Sequence, residues 1–483
     1  MLVLGAGSVS QSVLPLLTEH LLNASQITIM DPRDNRARVQ QTLQTGATYV
    51  QDSITPENID QQLSKYLVAG DFLLDLAWNI DANTIIQWCH DHGVLYLNTS
   101  VEEWDPYVGG ANRNPLERTL YYRHMRLREM KAEWAGTGAP AGSTPGARTG
   151  TGPTAIVEHG ANPGYVSHLV KRALVDIAER AITENLAAPA VTPALAQENY
   201  PALAHALNVK VIHIAERDTQ VTNKPKQFGE FVNTWSVEGF YEEGIAPAEL
   251  GWGTHETTLP PNAYEHPSGP RNQIAIAQPG ATTWVRSWVP EFEIQGMVIR
   301  HGEAFTISDH LTVWEDGKAI YRPTVHYAYC PSNEAIVSMR ELEMLNWQLH
   351  ENQRIMNDEI TAGEDRLGVL LMGHPFKSWW TGSLLGIEES RKLIPGQSAT
   401  TVQVASSVYA AVAWAMQNPN AGLLVPDDLP WRDVLALAEK YWGGTHSQAA
   451  DWDPLKNRRD LFEGWNNKVV DRSDPWQFTN FLV

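Results

Sequence analysis

Gly5-Ala6-Gly7-Ser8-Val9-Ser10 follows the short apolar run Met1–Leu4 and leads into the apolar-periodic segment SVLPLLTEHLL. A strand, a glycine turn and a helix in that order can hold a pyrophosphate. Gly5 permits the tight turn, Gly7 lets the backbone approach the phosphates, and Ser8 and Val9 open a helix whose free N–H groups favour an anion. Ser10 stands where the usual fingerprint has its third glycine and is small enough for close helix–strand packing. A second strand, Ile27-Thr28-Ile29-Met30-Asp31, ends in an acid about 20 residues further on, where a carboxylate can hold the adenosine ribose hydroxyls. Asp31 favours NAD, because its charge repels a 2′-phosphate; Arg33, Arg36 and Arg38 keep NADP open. Asp52, Asp75 and Thr99 end further strand candidates and are expected to line the same cofactor cleft. His90 and His92 have the spacing of a ligand pair on a strand but sit at a helix end before Gly93, so no metal site is expected.

The elements that position these residues alternate regularly. Strand candidates are 1–4, 26–31, 47–50, 71–76 and 94–98, with helices at 10–22, 33–43, 56–67 and 82–92 between them. That rhythm implies a doubly wound parallel sheet of the Rossmann type. A charged helix is expected over 112–134, and the Gly/Pro/Ser/Thr-rich segment 136–153 reads as a loop. A strand over Thr154–Glu158 and a helix from Tyr165 follow. From about residue 208 the texture changes to alternating runs such as NVKVIHIAERDT and IYRPTVHYAY, which predict a second, mixed sheet with antiparallel strands. Helices return after about residue 385, and the apolar segment 401–416 reads as a buried helix, being short for a membrane span. The expected division is a dinucleotide-binding domain over residues 1–155, an inserted α+β substrate and dimerisation domain over 156–384, and a helical return with a C-terminal extension over 385–483.

Bulk properties exclude several classes. A formal charge of −20 is unsuited to a general nucleic-acid grip. No membrane association is expected. Two cysteines, Cys89 and Cys330, form no disulfide framework or metal pattern, and the start of the chain lacks the basic and apolar regions of a signal peptide, so a reducing cytoplasm is expected. An acidic protein rich in tryptophan, with 18 in 483 residues, also suits a cationic ligand.

The segments GAGSVSQSVLPLL, EHGANPGYVSHLV, NTWSVEGFYEEG, AELGWGTHE, IRHGEAF and GEDRLGVLLMG together resemble the bacterial homospermidine synthases, of the saccharopine dehydrogenase-like group. The resemblance covers essentially the whole chain, and the NTWSVEGF and GWGTHE segments are its more specific parts. It implies an NAD-dependent transfer that joins two putrescines, or putrescine and spermidine, with release of ammonia. The amine is oxidised to an imine, a second amine exchanges into it, and the new imine is reduced, so NAD is recycled. It also implies a homodimer through the second domain. Carried onto this sequence, the resemblance makes Trp235 a cation–π partner, Glu216 and Glu243 ammonium ligands with Glu242 as the competing choice, His301 a proton shuttle and Asn162 a hydrogen-bond partner of the substrate nitrogen. Glu117 and Asp365 are further substrate-binding candidates. Each has an ordinary alternative: core tryptophan, solvated strand-end or helix-surface acid, turn asparagine, or helix N-cap for Asp365. Two rival functions stay open. A net dehydrogenase acting on saccharopine or carboxynorspermidine needs arginines for carboxylates, whereas residues 212–244 hold Arg217 alone against several acids. A non-catalytic NAD-binding regulator would survive loss of Trp235 and Glu243. The range of diamines and any monovalent-cation site are left undetermined.

Overall fold

In the computed structural model, residues 1–105, 113–134, 152–459, 461–462, 465, 470 and 472–483 are described. Most of the loop expected at 136–153, and the first residue of the helix expected at 112–134, lie outside them.

Seven parallel strands form the first sheet. The chain lays down β1 (Leu2–Leu4), α1 (Ser8–His20), β2 (Thr28–Asp31), α2 (Gln40–Gln44), β3 (Thr48–Gln51), α3 (Ile59–Tyr66), β4 (Phe72–Asp75), α4 (Ala82–His92) and β5 (Leu95–Asn98). It then adds α5 (Leu120–Trp134), β6 (Ala155–Ile156) and α6 (Tyr165–Thr183). Strand order is Leu423–Leu424, β6, β5, β4, β1, β2, β3. The order reverses between β1 and β4, the point at which doubly wound sheets bind their ligands. β1, β4 and β5 are buried along their whole length, as strands covered by helices on both faces must be.

Two expected helices are shorter than their patterns. The 33–43 segment gives a 3₁₀ turn at Arg36–Val39 before α2. Here Asp31 accepts from the Arg33 amide at 2.8 Å and the Tyr49 hydroxyl accepts from the Asn35 amide at 3.0 Å, so side chains capture the backbone donors that a helix start would use. Ahead of α5, Pro115–Arg118 is likewise a 3₁₀ turn, with the Leu116 amide donating to the Asn114 side chain.

The second sheet is mixed and has ten strands. At its centre β7 (Val211–Asp218) runs parallel to Thr324–Cys330 and antiparallel to Glu364–Met372, which pairs on with Ser378–Gly386 and His446–Ala450. The hairpin Trp284–Val289 and Phe292–Met297 and the strand Pro247–Gly251 join the other flank of Thr324–Cys330. Register places Glu216 between Tyr329 and Leu367, and Asp218 beside Asp365.

The two sheets share one continuous apolar core, built on α1, α6 and the Ala399–Gln417 helix. That last helix is buried over nearly its whole length, which explains an apolar run with so little polar face. Among the described residues no helix is long and apolar enough to cross a membrane.

Candidate active site

The glycine turn is held shut from two sides. Gly5 has φ +87°, and a Cβ there would meet the Leu76 carbonyl oxygen at 2.7 Å, so both conformation and space demand glycine. The Ser10 hydroxyl donates to the Gly5 carbonyl at 2.6 Å, a hydrogen bond that a third glycine could not make. Asp31, buried at the end of β2, accepts from the Ala6 amide at 2.8 Å and from Asn35 Nδ2 at 3.1 Å. It therefore ties the turn to the second strand. Gly7 is the N-cap of α1 without a side chain to cap it, and a Cβ on it would meet nothing within 4 Å. Free amides at a helix N-terminus, open space before them and a carboxylate beside them fit a dinucleotide. The other expected cleft residues differ in their use. Thr99 is half-buried at the carboxyl end of β5. Asp52 accepts from the Ser53 amide and from Gln62. Asp75 is buried against Tyr96 and the Ala77 amide, and burial lifts its carboxyl to about 6. His90 and His92 lie on α4, stacked on Trp134 and Trp88 respectively.

Across the cleft, β7 and its neighbours present a set of buried acids. Strand alternation puts Glu216 and Asp218 on one face of β7 and Arg217 on the other. Glu216 accepts from Asn162 Nδ2 at 2.9 Å and from the Tyr327 hydroxyl. Burial, with Asp218 nearby, holds its carboxyl at about 7 despite those two bonds. Burial also raises Asp218, which accepts from Thr234 Oγ1 at 2.6 Å, and raises Asp365 still more, where the charges of Glu216 and Asp218 add to it. Asp365 is a strand residue rather than a helix N-cap; Thr400 Oγ1 donates to its Oδ2 at 2.6 Å.

Aromatic residues join these acids to the imidazole. Tyr327 and Tyr329 stack with ring centroids 5.1 Å apart, and the Trp235 indole N–H donates to the Tyr329 hydroxyl at 2.9 Å. His301 lies with its ring centroid 4.3 Å from that of Tyr327. Its Nε2 faces Glu243 Oε2 at 3.1 Å and its Nδ1 faces Glu303 Oε1 at 3.2 Å. Burial opposes a charge on this ring, but the two carboxylates outweigh it and hold its pKa well above the usual histidine value. The imidazolium is thus the resting form near neutrality.

Asn162, Glu216, Trp235, Glu243, His301 and Asp365 are therefore brought into one constellation. Glu242 is not part of it. It is buried between Arg123 and Arg300 and accepts from Trp78 Nε1 at 2.9 Å. Burial works against its ionisation, yet the two guanidiniums keep its carboxyl low. Glu117 is exposed on its 3₁₀ turn. The sequence reading missed Asp218, Glu303, Tyr327 and Tyr329. The two tyrosines carried a signal in the alternation of VHYAY, which puts both on one strand face; Glu303 carried none beyond standing two residues from His301.

A cavity of about 690 Å³ opens on the opposite side of the same strands, lined by Arg217, Arg340, Trp284 and the C-terminal Leu482 and Val483. Two guanidiniums make it a poor receptor for a cation.

A family model of the saccharopine dehydrogenase NADP-binding domain matches residues 1–141, and one of the saccharopine dehydrogenase C-terminal domain matches residues 160–443. The chain is 40% identical to the homospermidine synthase of Blastochloris viridis and 39% identical to that of Mesorhizobium japonicum, in each case over 100% of this chain and 96% of the relative. It belongs to the homospermidine synthase family. The fold agrees at the same length: the crystal structure of the homospermidine synthase of Legionella pneumophila in complex with NAD superposes with a TM-score of 0.85 at 36% identity, covering 100% of this chain and 97% of that one.

Proposed function

We propose that this chain joins two putrescines into homospermidine and releases ammonia, with NAD recycled within each turnover. The observation that carries the reading is the imbalance of charge at the centre. Glu216, Asp218 and Asp365 cluster on adjacent buried strands, Glu243 and Glu303 share the single His301 imidazole, and burial lifts four of the five acids above their ordinary values. Uncompensated carboxylates destabilise a buried site unless cations meet them, and a diamine brings two. A substrate bearing carboxylates would add to the repulsion, which disfavours the saccharopine type of dehydrogenase.

The proposed roles follow from position. Gly5, Gly7, Ser8, Val9 and Asp31 would hold NAD, with Thr99 at the strand end beside them. Asp31 disfavours a 2′-phosphate, and Arg33, one of the three arginines of the NADP alternative, faces Glu238 at 3.3 Å instead. Asp52 and Asp75, at further strand ends of the same sheet, brace those ends through Ser53, Gln62, Tyr96 and the Ala77 amide. When bound, NAD would supply the hydride acceptor and donor for the oxidation and the later reduction. Asn162 and Tyr327 fix the Glu216 carboxylate, which holds one ammonium end together with Asp218 and Asp365. Trp235, oriented by Tyr329, offers its ring to the carbon that becomes cationic. His301, protonated between Glu243 and Glu303, supplies the proton that the leaving amine needs. Atoms balance: two putrescines enter, homospermidine and one ammonia leave, and net redox is zero.

The division at residues 1–155, 156–384 and 385–483 and a homodimer through the mixed-sheet domain are part of the same proposal. The test is to incubate the purified protein with putrescine and catalytic NAD and to follow polyamines by mass and ammonia by assay. Homospermidine and ammonia in equal amounts without accumulating NADH support the synthase. Stoichiometric NADH would make the chain a dehydrogenase, and NAD binding without product would leave the regulator.

A further inference from the structure

Glu158 is an acid at the carboxyl edge of the first sheet to which the proposed reaction gives no task. It follows β6, is 1% exposed, and adopts φ +56°, a left-handed conformation that a non-glycine residue seldom takes. Its amide donates to Asn98 Oδ1 at 2.7 Å. Asn98 in turn donates to the Tyr96 hydroxyl at 3.0 Å, and that hydroxyl donates to Asp75 at 2.9 Å. The ends of β4, β5 and β6 are thereby locked together behind it.

The side chain reaches out of this edge. Oε2 faces His124 Nε2 of α5 at 2.7 Å, and Oε1 has no hydrogen-bond partner among the described residues. The carboxyl group also rests on the backbone of Gly302. A Cβ at Gly302 would fall 1.7 Å from Glu158 Oε2 and 2.3 Å from its carboxyl carbon, so only glycine admits this contact. Gly302 is the first residue of the Gly302–His310 helix, and His301 is its N-cap; its side chain caps no backbone amide and instead faces the Glu303 carboxylate. Phe305, one turn into that helix, lies with its ring centroid 4.9 Å from that of His124.

We infer that Glu158, with His124, is a positioning residue for His301. The pair wedges the start of the Gly302–His310 helix against the edge of the cofactor-binding sheet, and so sets the distance between the imidazole and the substrate carbon that meets the cofactor. Glu243 and Glu303, the acids that face the His301 nitrogens, both belong to the second part of the chain, whereas the Glu158–His124 pair contacts the start of this helix from the edge of the first sheet. The strain at Glu158 is retained because the wedge requires the side chain to leave the strand in this direction.

The inference rests on the homospermidine reading, so the wild type is assayed beside the variants; absence of homospermidine there refutes that reading and not this one. Turnover, KM for putrescine, NAD affinity by fluorescence titration and melting temperature are measured for Glu158→Ala, Glu158→Gln and Gly302→Ala. Misplacement of a catalytic group lowers kcat about tenfold to a hundredfold, and so Glu158→Ala and Gly302→Ala are expected in that range, with KM and NAD affinity within about threefold of wild type. Glu158→Gln keeps the shape and the partner atom and is expected to recover most of the loss. A kcat within about twofold of wild type for Glu158→Ala, or losses of KM and NAD affinity that match the loss of kcat, would overturn the inference. If Glu158→Ala does not fold, His124→Phe decides. It keeps the contact with Phe305 and removes the hydrogen bond, and an unchanged kcat there would overturn the inference equally.

Discussion

Trp235 and His301 carry the sharpest expectations at the scale of single residues, because hydrogen bonds to the protein fix the orientation of each ring. The Trp235 indole N–H is committed to Tyr329 at 2.9 Å, so its ring plane is fixed before substrate arrives. A desolvated cation–π contact is worth about 2 kcal/mol, and Trp235→Ala should therefore lower kcat for homospermidine by about thirtyfold, with Trp235→Phe retaining part of it; steady-state rates with putrescine check this. His301 is protonated because two acids face it, so His301→Asn removes the proton donor while keeping a polar side chain. Loss of a general acid costs on the order of 10²–10⁴ in rate, and ammonia release measured in single-turnover experiments should fall by that factor while NAD affinity holds. The same residue scale shows where sequence stops being informative. Asn162, Glu216, Trp235, Glu243 and His301 were reachable because their segments resemble a family. Asp218 and Glu303 were not, because an acid on a strand face or in a first helical turn looks the same in sequence whether solvent or another carboxylate lies opposite.

At the scale of elements, the first sheet was almost wholly legible. Its strands are short apolar runs between amphipathic helices, and each ends within a residue or two of its polar stop. What could not be read was which strand ends interact: the Asp75–Tyr96–Asn98 chain is made by register between β4 and β5, not by spacing along either. The mixed sheet was legible only as alternation, since pairing β7 in parallel with Thr324–Cys330 needs contacts more than 100 residues apart in the chain. One element has a dual task. The Ala399–Gln417 helix starts at Ser398, whose hydroxyl accepts from the Thr401 amide at 3.2 Å and donates to the Thr234 carbonyl at 3.0 Å. Ser398→Ala is expected to cost about 1 kcal/mol for the lost cap. It also frees the segment that carries Trp235, so kcat should fall by more than the loss of stability accounts for; denaturation curves and kinetics on the same preparation separate the two effects.

For the whole molecule, the excess of negative charge and the buried acids make substrate binding and folding draw on the same protons. Glu216 sits near 7 when folded, against the ordinary carboxylate value near 4.5 when unfolded. The folded state therefore binds more protons than the unfolded state between those values, and the stability this group contributes is present at low pH and is lost as pH rises through about 7. Asp218 and Asp365 are shifted in the same direction and add to the same trend. His301 adds to the trend: its pKa is raised well above 6.5 on folding, so its contribution is full below 6.5 and declines as pH rises from there. A diamine reverses the trend: its ammonium ends bind the ionised acids and have little hold on protonated ones. Putrescine should thus raise the melting temperature more at pH 8 than at pH 6, and its KM should rise as pH falls below about 7. Glu216→Gln should flatten both dependences, since it removes the group whose titration spans that window. Thermal shifts with and without putrescine across this range measure the coupling without turnover. A shift that is independent of pH in the wild type would mean that the acids are not where the diamine binds.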